Sequence, residues 1–391
     1  MQKKQKIKFP YQFDPKRRRL AKVYERKKLI TSVVNGIIIQ LAFLAVFLSA
    51  GYNSALAGLL SPYGFWSLPL YALIFISLTV LVGFPISFWS SYIYDKKQGL
   101  VVQKLGSWFK DFFKSLALGY VVTVPIFTGL YLLLPVANWW AYAGIAYFAL
   151  MLFFNYIVPI VVFPWFYKTK PYTDKAQIAK LKALCRKAGV NISKILIAKE
   201  SEKSVRANAV FMGFGATKRI ILFDTLTDKF APPEVETVVA HELGHYVNKD
   251  IWRGMAVDAV KVFPVLFIVD YILRQSVGSF GLSAISDIAS LPLFLLSYSI
   301  IELAIMPLAN TYWRHREARA DYFAIDSTRK PDANASADKR LADIDLADDD
   351  PHSLLEFIFD NHPSIKKRVA MAEQWKKEHA SRGRKSDYDM T

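Results

Sequence analysis

Three residues in the order H-E-L-G-H, His241, Glu242 and His245, stand within VETVVAHELGHYV. Apolar Val235, Val238 and Val239 precede them at helical spacing, which predicts a helix through the motif. At 3.6 residues per turn, side chains four apart differ by about 40° in direction, so both imidazoles can reach one ion with Glu242 beside them. A catalytic zinc takes three protein ligands and keeps one position open, so a third ligand must come from elsewhere. The other histidines are His315, His352, His362 and His379. WRHREARADYFAID carries Glu317 and Asp321 four residues apart on one helix face, which suits Glu317 as ligand with Asp321 behind it. A charged helix of this kind also fits a solvated face of Glu/Arg pairs, and His315 competes as ligand; spacing does not choose between them.

The elements that must position these groups are set by charge. After Lys28 no Asp, Glu, Lys or Arg occurs until Asp95, and after Lys114 none until Lys168. A helix needs roughly 20 residues to cross the hydrocarbon, so each silent block holds two spans, near 29–51 with 66–90 and 115–135 with 140–165. A third apolar region, 251–275 and 288–310, contains Arg253, Asp258, Lys261, Asp270, Arg274 and Glu302. Such groups cost a few kcal/mol each against lipid, so Asp258 and Lys261 should face protein or water, while Arg253 and Arg274 can snorkel. Mean hydropathy of +0.20 and 53% hydrophobic residues agree with a polytopic membrane protein.

The net charge of +17 raises nucleic acid as a partner, but the basic residues flank apolar runs, as in cytoplasmic loops, so no nucleic acid is expected. Twelve Lys and Arg between Lys3 and Lys28 make the N-terminal end cytoplasmic. The apolar stretch after Lys28 is longer than the h-region of a cleaved signal peptide. Six spans then divide the chain into a basic segment, 1–28; spans one to four, 29–167, with loop 95–114; a first catalytic part, 168–250; spans five and six, 251–310; and a second catalytic part with tail, 311–391. Within the catalytic parts the pattern predicts a helix over 175–188, a strand over 194–200, and a hairpin of 208–214 and 219–224 with a loop at Gly215. Residues 329–352 read as a polar loop, and the tail from Arg382 as disordered. The lone Cys185 excludes a disulfide framework and a cysteine-based metal cluster and reads as a spectator thiol.

Several stretches resemble the type I CAAX prenyl proteases, membrane zinc endopeptidases also called a-factor-converting enzymes. RANAVFMGFGATKRIILFDTL, VVAHELGHY, EARAD, NHPSIKKR and the loop YIYDKKQGLVVQKLGSWFKDFFKSLALG each look like segments of that family. The resemblance implies a mainly α fold, a helix bundle with a zincin-like α+β cytoplasmic domain split by the last hairpin. It puts Glu317 at the ligand position beside His241 and His245, with one Zn2+ per chain and Asp321 as the partner of the ligand set. It also implies Glu242 as the base, His362 as a donor to the developing oxyanion, Arg368 bracing Asp321, and Asn208 and Ala209 on an edge strand that pairs with substrate. Eukaryotic members carry seven spans around an intramembrane chamber, against six counted here. The expected activity is zinc-dependent peptide hydrolysis on prenylated or membrane-associated peptides at the bilayer. The alternatives are an HtpX-like quality-control protease and a catalytically silent zinc-containing membrane scaffold, the latter having no use for an intact Glu242.

Overall fold

The computed structural model describes residues 7–213 and 218–388. Four long helices come first: α1 (Pro15–Ser49), α2 (Tyr52–Lys97), α3 (Leu105–Leu133) and α4 (Trp139–Phe166). Each contains a long apolar stretch with no polar face to offer water, while the charged residues gather at helix ends, as in Lys16–Lys28 of α1 and Asp95–Lys97 of α2. Side chains such as Val121 remain 71% exposed, as lipid-facing residues do. Gly64, at φ 57, breaks the early part of α2, and Asn138, also at positive φ, starts α4 after the turn at 134–138.

A small domain follows. β1 (Thr169–Pro171), α5 (Lys175–Lys187), β2 (Lys194–Ala198), β3 (Ala209–Met212), β4 (Arg219–Phe223), α6 (Asp224–Lys229) and α7 (Pro232–Val247) come in that order. The sheet order is β1-β2-β4-β3, with β2 and β4 parallel and the outer pairs antiparallel. The expected helix, strand and hairpin are present; the loop at Gly215 lies outside the described residues. Strand β1 had no apolar alternation to announce it.

The chain then forms α8 (Asp250–Gln275) and α9 (Leu291–Thr328), followed by α10 (Pro331–Asp345), α11 (Ser353–Phe359) and α12 (Ile365–Tyr388). Among the described residues, five helices are long and apolar enough to cross a membrane: α1 to α4, and α9 with the short turn before it. The sixth expected span, α8, has the length but holds Asp258, Lys261, Asp270 and Arg274, so it is less apolar than the other five. Four of its charged groups are paired: Lys261 Nζ lies 2.9 Å from Glu302 on α9 and 3.7 Å from Asp258, and Asp270 takes the Trp139 indole N–H at 2.6 Å and Arg274 Nε at 2.8 Å.

Two expectations fail. Residues 331–345 are helical rather than a loop, with Ala333, Ala337 and Ala342 buried on the inner face of the helix. Alanine is the best helix former yet gives a weak hydrophobic signal. The tail does not break at Arg382, since α12 continues to Tyr388.

One close approach matters for the site. A Cβ on Gly244 of α7 would sit 3.1 Å from the Ala320 Cα of α9, so the glycine lets the two helices meet at the histidine motif. Overpacking of this kind costs about 1–3 kcal/mol. Gly244→Ala is expected to lower the melting temperature and the metal affinity together; a thermal melt and metal titration that match the parent would refute it.

Candidate active site

Helix α7 begins with Pro232 and Pro233, which need no N–H partner there, and Glu234 Oε2 accepts the Ala231 N–H at 2.7 Å. The fully buried Glu234 is bonded in turn by Ser336 and Arg340 of α10, so α10 holds the start of the histidine helix. About two and three turns on, His241 and His245 turn toward α9.

His241 Nε2 and His245 Nε2 are 3.1 Å apart, Glu317 Oε2 is 3.2 Å from the first, and Glu317 Oε1 is 3.4 Å from the second. Zinc–nitrogen bonds of about 2.0–2.1 Å place the corners of a tetrahedron roughly 3.3 Å apart, so these spacings fit that ion. Glu317 Oε2 is buried and accepts no hydrogen bond, which leaves a lone pair for a cation. His315 bonds the Thr311 carbonyl at 2.7 Å and lies apart from this group.

Behind each imidazole stands a carboxylate. His241 Nδ1 is 2.8 Å from Asp321 Oδ1, and Arg368 grips both Asp321 oxygens at 2.6 and 2.8 Å while reaching Asp338 at 3.0 Å. His245 Nδ1 is 3.0 Å from Asp250 Oδ2, whose other oxygen takes Arg316 at 2.5 Å. Sequence reasoning missed Asp250, Arg316 and Asp338. The first lies five residues past His245 and the second beside Glu317, but Asp338 sits in the stretch read as a loop and gave no signal.

Electrostatics favour a cation. The carboxylates of Asp250, Glu317 and Asp321 stand directly against the two imidazoles, and the guanidiniums Arg316 and Arg368 lie behind Asp250 and Asp321. Burial works against a charge on His241, yet Asp321 outweighs it and pushes the imidazole up to about 10. Burial raises the Glu242 carboxyl, with His241 and His245 opposing. Asp338 is pushed up to about 6 by burial against the pull of Arg368. His362 reaches the same centre, its Nε2 3.3 Å from Glu317 Oε2, and burial lowers its pKa. Its Nδ1 is 2.7 Å from Asn361 Oδ1, which accepts from it.

Strand β3 is an end strand of the sheet. Asn208 O accepts the Phe223 N–H at 3.0 Å, while the N–H of buried Ala209 is held by Asn208 Oδ1 at 2.8 Å. A substrate strand on this edge would have to displace that last bond. Between β3, the end of α7 and α4 lies a cavity of about 1120 Å³, with Phe211, Met212, His245, Tyr246, Trp252 and Phe154 among its walls.

Residues 172–376 match the description "Peptidase family M48", and residues 3–168 match "CAAX prenyl protease N-terminal, five membrane helices". Four long helices occupy that second region here. The chain is 29% identical to the metalloprotease YhfN of Bacillus subtilis over 307 residues, covering 76% of this chain and 71% of YhfN. It is 26% identical to CAAX prenyl protease 1 of Saccharomyces cerevisiae over 317 residues, covering 75% and 69%. Its fold matches the crystal structure of S. mikatae Ste24p with a TM-score of 0.82 at 22% identity, over 95% of this chain and 92% of that one.

Proposed function

This chain belongs to peptidase family M48 and is a multi-pass membrane metalloprotease acting on peptide or protein substrates, and on that premise we propose that its metal is zinc, held by His241, His245 and Glu317. The observation that carries the reading is the meeting of these three ligands from α7 and α9, at mutual spacings of 3.1–3.4 Å, with Glu242 adjacent. Bound there, zinc supplies the Lewis acid that makes water a nucleophile near neutral pH. Glu242 takes the proton from the attacking water and delivers it to the leaving amine nitrogen. His362 donates from Nε2 to the developing oxyanion in its protonated form, in which Nδ1–H is held by Asn361 Oδ1. Arg368 holds Asp321, and Asp321 holds His241. The backbone of Asn208 and Ala209 offers the edge on which an extended substrate lies.

In this reading the catalytic unit is assembled from 168–250 and 311–391, with the α8–α9 hairpin between them and the basic segment 1–28 on the same side. Contacts support that sidedness: Arg18 Nε bonds Asp343 Oδ1 at 2.6 Å, and Tyr11 bonds Asp343 Oδ2 at 2.8 Å. The excess of Lys and Arg before residue 29 then makes that side cytoplasmic. We assign the substrates as CAAX-type peptides with a prenyl group or another membrane anchor, supported by the named yeast relative and by the mostly apolar cavity beside His245. The quality-control protease and the inert scaffold are not favoured by these relatives.

The test is incubation of the purified enzyme with a farnesylated CAAX peptide and its unlipidated twin. Chelator-sensitive cleavage is expected for both, with kcat/KM at least about tenfold higher for the lipidated peptide, since even a few buried methylenes contribute that much. Equal rates would remove the lipid from the specificity, and cleavage that survives the chelator would remove the metal.

A further inference from the structure

We propose that Asp250 and Arg316 form a positioning relay for His245, separate from the pair Asp321 and Arg368 that serves His241. The inference rests on the zinc reading above and deepens it.

Asp250 starts α8, separated from the end of α7 by Asn248 and Lys249. The chain turns there through Lys249, which adopts φ 56, a conformation that L-residues enter at some cost. The turn brings the Asp250 carboxylate back to His245 Nδ1 at 3.0 Å. A hydrogen bond at Nδ1 assigns the proton to that nitrogen, so Nε2 keeps its lone pair toward His241 Nε2 and Glu317 Oε1.

The carboxylate is itself fixed. Asp250 is 3% exposed and Arg316 9% exposed. Buried charges cost several kcal/mol each unless they are paired and fully bonded. Arg316 Nη1 donates to Asp250 Oδ1 at 2.5 Å, and its Nη2 donates to the Tyr312 hydroxyl at 2.6 Å. The guanidinium also lies 4.7 Å from the Tyr312 ring centroid. Asp250 sits in the first turn of α8, where the helix dipole favours a negative charge. Both carboxylate oxygens and both terminal guanidinium nitrogens are thus committed.

The placement gives the relay a function of its own. Asp250 opens the α8–α9 hairpin, and Arg316 adjoins Glu317 near its far end. The ion pair closes the hairpin at the ligand set, so the angle of the His245 ring is set by the packing of α8 against α9. The His241 relay is anchored instead by α12 and α10, through Arg368 and Asp338.

The full-length enzyme in detergent provides the test, using Asp250→Ala, Asp250→Asn and Arg316→Lys. Zinc affinity is measured by competition with a chelator, and ligand geometry by the visible spectrum of the cobalt-substituted protein. Asp250→Ala should weaken zinc binding by about 10–100-fold and shift the cobalt bands, while Asp250→Asn, whose Oδ1 still accepts from Nδ1, should recover most of the loss. Arg316→Lys, which cannot make the forked contact, should weaken binding several-fold and serves if Asp250→Ala does not fold. Zinc affinity of the folded Asp250→Ala or Arg316→Lys protein within about twofold of the parent, with unchanged cobalt bands, overturns the relay. His245→Ala run in parallel separates the two claims: if it loses zinc while the relay variants keep it, only the relay falls; if it too keeps zinc, the ligand assignment itself is wrong.

Discussion

Glu242→Ala is expected to cut kcat/KM by at least about 10³-fold while the protein keeps its zinc, because a positioned base typically contributes 10²–10⁴ and this variant removes no ligand. Elemental analysis of the variant alongside a peptide-cleavage assay checks both halves. Cleavage within tenfold of the parent would show that another group moves the proton. The same residue fixes the acid limb of the pH profile. Burial raises the Glu242 carboxyl against the opposing pull of His241 and His245. A base works only when ionised, so activity is present above this raised pKa and fades as pH falls through it. The acid limb should therefore lie above the ordinary glutamate value of about 4.3. A limb at or below that value would mean that a more exposed carboxylate is the base.

The second large effect is expected of Glu317→Ala. Removal of one of three ligands leaves two imidazoles and two further ligand positions for solvent, so zinc should fall from about one ion per chain to less than a tenth, and activity with it. His315→Ala should keep both, since its ring bonds the Thr311 carbonyl one turn away. Stability gives an independent reading: an ion bound at 100 times its Kd stabilises by about 2.7 kcal/mol, so a chelator should lower the melting temperature of the parent but not of Glu317→Ala. Full metal content in Glu317→Ala, or metal loss in His315→Ala, would reassign the third ligand.

Much of this site was legible in the chain because its information is local. HELGH sits on one helix, and a spacing of four puts both imidazoles on one side whatever the tertiary context. EARAD places Glu317 and Asp321 by the same rule, and the gap in charged residues from Lys28 to Asp95 and again from Lys114 to Lys168 fixes long membrane helices by length alone. The choice between Glu317 and His315 is different in kind. They are two residues apart, so about 200° separates them around the helix, and only the packing of α7 on α9, permitted by Gly244, decides which one faces the histidines. Asp338 and Arg340 were invisible for the opposite reason, since their helix is built on buried alanines and polar groups whose partners, Arg368 and Glu234, lie in other elements. The residue types and their periodicity determined that a metal could be gripped and that lipid would be crossed. The tertiary structure decided which carboxylate completes the grip and which charges hold the imidazoles still, because those contacts join segments that no local rule connects.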